Sequence, residues 1–155
     1  QLTHALLSSL LVCVVCLATY AEEQDAALQR ELQAMAGAWQ VVYFETDGKI
    51  LPADALKGLV MTRDPDGKFA LRRGDQVVLA GMVKKTDTSK PPRMLDCEQT
   101  AGDQAGKLVE GIYEVVGDTL RICAVQPGQG ERPTAFTARA GSHCTLAVYM
   151  RMPAK

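Results

Sequence analysis

Few side chains in this chain are spaced for chemistry, and the spacings that exist argue against the common reactions. Glu110 and Glu114 lie four residues apart on one strand face. Strand rise puts them about 13 Å from each other, beyond the roughly 5–9.5 Å that glycosidase carboxyl pairs span. His143 precedes Cys144, and the other histidine, His4, lies near the start of the chain. A zinc site needs about four well-placed ligands, and no pair among Cys97, Cys123 and Cys144 has the C-x-x-C spacing. A nucleophile elbow (Gly-x-Ser-x-Gly) and a phosphate-binding glycine loop are both absent. Asp103 and Asp118 stand beside turn glycines, and Arg73-Gly74-Asp75 contributes two turn residues to a hairpin. The sequence therefore predicts no catalytic residue, no metal ligand and no cofactor.

Composition narrows the partners. The 155 residues carry a formal net charge of −1, and the basic residues are scattered apart from Arg72-Arg73 and Lys84-Lys85. Neither nucleic acid nor an anionic membrane surface is expected to bind through bulk charge. Residues 5–17 are almost wholly apolar, interrupted by Ser8 and Ser9, and run through Ala18-Thr19-Tyr20-Ala21 into Glu22-Glu23. That is the apolar core and cleavage region of a secretory signal, here assigned to residues 1–21, with its start truncated before Gln1. The apolar run falls short of the roughly 20 residues a membrane span needs. The expectation is an exported protein, periplasmic or secreted, with no stable membrane insertion once the signal is cleaved. Left uncleaved, the segment would act as an anchor. Cys13 and Cys16 each follow a valine, which argues against lipidation, and both leave with the signal. The three remaining thiols allow one disulfide in three pairings.

The elements that must position any site follow from periodicity. Over residues 22–36, Leu28, Leu32 and Met35 form one helical stripe, with Glu and Gln on the other faces. Gly37 ends this helix, which is expected to plug one end of a barrel or pack on its outside. Residues 37–155 then read as short strands separated by turn chemistry, such as Asp64-Pro65-Asp66-Gly67. The hairpin over residues 108–125 is the most legible. With Gly117-Asp118 as its two-residue turn, Glu114 falls opposite Arg121 and Ile112 opposite Cys123. On the other face Val115 meets Leu120 and Tyr113 meets Ile122, giving an apolar face directed inward. The fold class is all-β, a small antiparallel up-and-down barrel of eight or nine strands with a preceding amphipathic helix.

Several segments resemble a lipocalin-like domain family abundant in planctomycete bacteria. They are Gly37-Ala38-Trp39-Gln40-Val41-Val42, Asp47-Gly48-Lys49 with Leu51-Pro52, and Ser89-Lys90-Pro91-Pro92-Arg93. Further along come Gly111-Ile112-Tyr113-Glu114, residues 117–123 and Gly130-Glu131-Arg132-Pro133-Thr134. The resemblance runs in order over residues 36–151 and implies a signal peptide and a small lipocalin-like barrel with no established activity. Cys123 looks ordinary against the family pattern and Cys97 and Cys144 do not, so a disulfide is not implied. In lipocalin-like barrels a Gly-x-Trp indole at the start and an arginine at the end seal one mouth. Here those residues are Trp39 and Arg151, the arginine lying flat on the indole.

Two non-enzymatic functions fit this architecture. In the first, the barrel binds a small hydrophobic or amphipathic molecule, with Trp39, Val41, Tyr43, Tyr113, Val115, Leu120 and Ile122 as the lining. In the second, the interior is packed solid and the protein meets an unknown protein partner through loops such as residues 126–133 or through the N-terminal helix.

Overall fold

The computed structural model describes the backbone of residues 2–154 and the side chains of residues 17–154. The core of the expected signal, with Cys13 and Cys16, lies outside the described side chains. Helix α1 (Leu2–Met35) runs unbroken past residues 21–22 and stops before Gly37, whose φ of 119° no helix residue adopts. Nine strands follow: β1 (Gly37–Thr46), β2 (Lys49–Ile50), β3 (Leu59–Arg63), β4 (Lys68–Arg73), β5 (Gln76–Asp87), β6 (Arg93–Ala101), β7 (Leu108–Val116), β8 (Thr119–Val125) and β9 (Cys144–Arg151). A single helical turn, α2 (Ala53–Leu56), precedes β3.

From β3 onward each strand pairs antiparallel with the next, β1 pairs with β3, and β9 returns to β1. The result is a closed eight-stranded lipocalin-like barrel of β1 and β3–β9. The ninth strand, β2, folds back on the end of β1 through Asp47-Gly48, both at positive φ. Closure gives each strand of the barrel proper a paired neighbour on both sides.

The β7–β8 hairpin has the register that its turn predicts: Glu114 opposite Arg121, Tyr113 opposite Ile122 and Val115 opposite Leu120. Glu114 and Arg121 form an ion pair through Nε and Nη2 of the guanidinium, with Nε donating at 2.7 Å. Tyr113 and Leu120 are wholly buried inside. Two glycines give room to the barrel wall. Gly81 on β5 lies beneath the Phe69 ring, and a Cβ there would also come within 2.6 Å of the Glu98 carbonyl oxygen. Gly111 on β7 is equally tight against the Cys123 carbonyl at 2.7 Å.

A second apolar cluster lies outside the barrel. Ile112 and Cys123 face away from the interior yet are fully buried, packed with Val125, Ala138 and Cys144 and flanked by Phe136. The cover is residues 126–143, the β8–β9 connection, which folds over this outer face. Arg132 ties it down: Nη1 donates to the carbonyls of Leu95 (3.2 Å) and Gly111 (2.9 Å), while Nη2 pairs with Asp96 (2.6 Å) and Glu110 (3.1 Å). Arg121 stacks on Phe136, 4.4 Å from the ring centroid. Glu110 and Glu114 thus both serve arginines that hold the structure together. Hairpin alternation alone suggests a solvated outer face here, and the overlying connection changes that.

Candidate ligand cavity in the open half of the barrel

The two ends of the barrel are built differently. One end gathers the C-terminus of α1, the start of β1, the β3–β4 and β7–β8 turns and the end of β9. Here the helix is the plug: Leu32 and Met35 are buried in the same cluster as Trp39 and Tyr113. Trp39 is fully buried, and its Nε1–H donates to the Met35 carbonyl at 2.9 Å, capping the last helical turn. Arg151 lies opposite Trp39 across the β1–β9 ladder, with its guanidinium 4.1 Å from the indole centroid. It donates to the carbonyls of Ala36 (2.8 Å) and Ala34 (3.0 Å). One arginine therefore ties both strand ends to the helix terminus. The Tyr113 hydroxyl donates to Glu31 Oε2 at 2.6 Å, and Arg93 reaches the same oxygen at 3.1 Å.

The other half is hollow. A cavity of about 400 Å³ runs toward the end formed by the β4–β5 turn, the β6–β7 loop and the β8–β9 connection. Phe44, Met61, Leu71, Leu95, Ile122 and Ala147 make much of its wall, while Val78, Gln104 and Pro127 stand at the rim. Inward-facing residues of the closed half fill their own space, whereas those of the open half leave a void between them. Its size falls within the roughly 300–1,000 Å³ of small-molecule sites.

One cation sits among the apolar lining. Arg63 closes β3, where Leu59, Met61 and Arg63 all point inward by strand alternation. It is only 6% exposed, and its Nε has no hydrogen-bond partner. Its guanidinium packs against the Phe69 ring, 5.0 Å from the centroid, a favourable contact for a cation. Cys97 and Tyr149 share this part of the lining. Burial pushes the Cys97 thiol up to about 11, opposed by the charge of Arg63. Burial likewise raises the Tyr149 phenol, again against Arg63. Both groups are therefore neutral near pH 7.

The three thiols sort by location: Cys97 lines the interior, while Cys123 and Cys144 share the outer cluster, and all three are free. Burial also pushes Cys123 up to about 11. Because the folded state holds these protons more tightly than an unfolded thiol near pH 8.5, its stability is complete below that pH. It then declines as pH rises from about 8.5 toward 11. Denaturant midpoints at pH 7.5 and 10 should show the loss, and Cys97→Ala should reduce it. Native-state alkylation of Cys97 at pH 8 should be slow and should accelerate on unfolding.

Of the seven residues that alternation nominates as lining, only Ile122 borders the cavity. Trp39, Val41, Tyr113 and Leu120 face inward but are packed in the core of the closed half, with Val115 against them. Tyr43 is turned out of phase. A β-bulge between Val41 and Tyr43 pairs Tyr43 with Val148 and Phe44 with Ala147. Phe44 takes the inward place, and the Tyr43 hydroxyl donates to Glu45 at 2.8 Å. Sequence reasoning missed Phe44, Arg63, Cys97, Ala147 and Tyr149. For Arg63 a signal existed, since it continues the period-two series of Leu59 and Met61. His143 takes a left-handed conformation, and its backbone N–H donates to Asp47 (3.0 Å), which holds that carboxyl below its usual range. Among the described residues no three His, Cys, Asp or Glu side chains gather as a metal site, and no helix is long and apolar enough to cross a membrane. No protein-family model, curated protein or solved structure matches the chain, so the reading of the site rests on its own geometry.

Proposed function

We propose that this protein is a non-enzymatic, exported binding barrel that holds one small hydrophobic or amphipathic molecule in the open half of its interior. The observation that carries the reading is the cavity of about 400 Å³, apolar along its walls and reaching the loop-bearing end. A filled barrel would bring side chains together there as it does around Trp39. The apolar run over residues 5–17 and the small residues before Glu22 support export. The lipocalin-like resemblance and this barrel suit the same role.

A neutral environment-sensitive dye, N-phenyl-1-naphthylamine, tests the cavity without involving charge. The expected result is fluorescence enhancement that saturates at one dye per chain. Absence of enhancement, or a signal that never saturates, would count against an internal site.

A further inference from the structure

We propose that the cavity takes its ligand head-first, and that the ligand is a monoanionic amphiphile, such as a medium-chain fatty carboxylate, whose head pairs with Arg63 at the cavity floor. This rests on the binding reading above and adds the ligand's charge and orientation.

An arginine buried in an apolar wall is costly unless a counter-charge and hydrogen-bond acceptors meet it. Arg63 is 94% buried by the complement of its 6% exposure, and its Nε is unpartnered. None of the ion pairs among the described residues involves it. On β1, which pairs with β3, Glu45 accepts from Tyr43, and the acids of β6 and β7 are committed elsewhere: Asp96 and Glu110 to Arg132, Glu98 to Lys84, and Glu114 to Arg121. Cys97 and Tyr149, which sense the charge of Arg63, stay protonated and offer it no anion. The cavity thus holds a cation that no ion pair among the described residues neutralises.

The rest of the lining sets the orientation. Among the described residues, Asp103 is the only carboxylate bordering the cavity, and it belongs to the β6–β7 loop, at the rim. An anionic head left at the mouth would meet that negative charge, whereas one at the floor meets Arg63. Between them lie Phe44, Leu71, Leu79, Leu95 and Ile122, a path for an alkyl chain. A carboxylate can accept two parallel bonds from a guanidinium, a match that an alcohol of the same chain length lacks.

The test is displacement of N-phenyl-1-naphthylamine from the protein at pH 7.5 by decanoate and, separately, by 1-decanol. Hydrogen bonds to a charged partner predict that decanoate displaces the dye about 10–100-fold more effectively. Arg63→Met, which keeps the length and removes an unpaired buried charge, should erase that preference while leaving decanol unchanged or better. Near-UV circular dichroism from Trp39 checks that the variant is folded. Should the variant not fold, the comparison of the two ligands on the unaltered protein still decides. Equal displacement by the two would overturn the inference and leave the cavity reading standing. Failure of the dye itself to bind would overturn both.

Discussion

Replacing Trp39 with alanine is expected to destabilise the protein by about 3–5 kcal/mol, the range for deleting a fully buried large aromatic. Against a typical total of about 5–15 kcal/mol for a domain, that is about a fifth or more of the fold's margin. The indole does three things at once. It fills the closed end with no exposed surface, it satisfies the Met35 carbonyl at 2.9 Å, and it provides the face on which Arg151 rests at 4.1 Å. Without it the last turn of α1 has an unanswered carbonyl, and Arg151 loses the surface that aims its bonds to Ala34 and Ala36. Trp39→Phe retains most of the packing and should cost less. Because Trp39 is the sole tryptophan, unfolding must be followed by far-UV circular dichroism. An unchanged denaturant midpoint for Trp39→Ala would contradict this account of the closed end.

Ala147→Phe should have the largest effect on binding. Ala147 lies in the cavity wall on β9, opposite Phe44 on one side and Ile122 on the other. Its side chain borders the cavity, so a phenyl ring there would take up space that the ligand needs. Overpacking a filled core costs typically about 1–3 kcal/mol, and here the ring enters a void, so the cost should lie at or below the low end. The expected result is a folded protein whose affinity for N-phenyl-1-naphthylamine falls more than about tenfold, roughly 1.4 kcal/mol of lost binding free energy. Unchanged affinity in a folded variant would move the dye site elsewhere.

The architecture was legible in the sequence because its signals are local. Turn glycines, period-two alternation and the two-residue turn at Gly117-Asp118 determine strand limits and the β7–β8 register without reference to distant residues. Trp39 and Arg151 were legible as a pair through the lipocalin-like resemblance, which implies an indole at the first strand and an arginine at the last sealing one mouth. The cavity was not. Alternation says which face a residue takes but not its depth along the barrel axis, so it does not reveal that Trp39, Val41, Tyr113 and Leu120 face inward in the packed half, away from the cavity. The bulge after Val41 shifts the phase of β1, and nothing in Val41-Val42-Tyr43-Phe44 announces an extra residue. The burial of Ile112 and Cys123 depends on residues 126–143 returning across the outer face, a long-range packing that strand patterns do not encode. Arg63 was readable in principle as a charge in an inward series, but its lack of a partner emerges only from the folded arrangement.

Native mass spectrometry of the purified protein, before and after exposure to lipid extracts, tests the central claim most directly. The account predicts one reproducible added mass per chain, lost on delipidation, restored by extract and absent from Ala147→Phe. A clean apo mass after exposure to varied extracts would contradict it, leaving a barrel whose interior holds nothing.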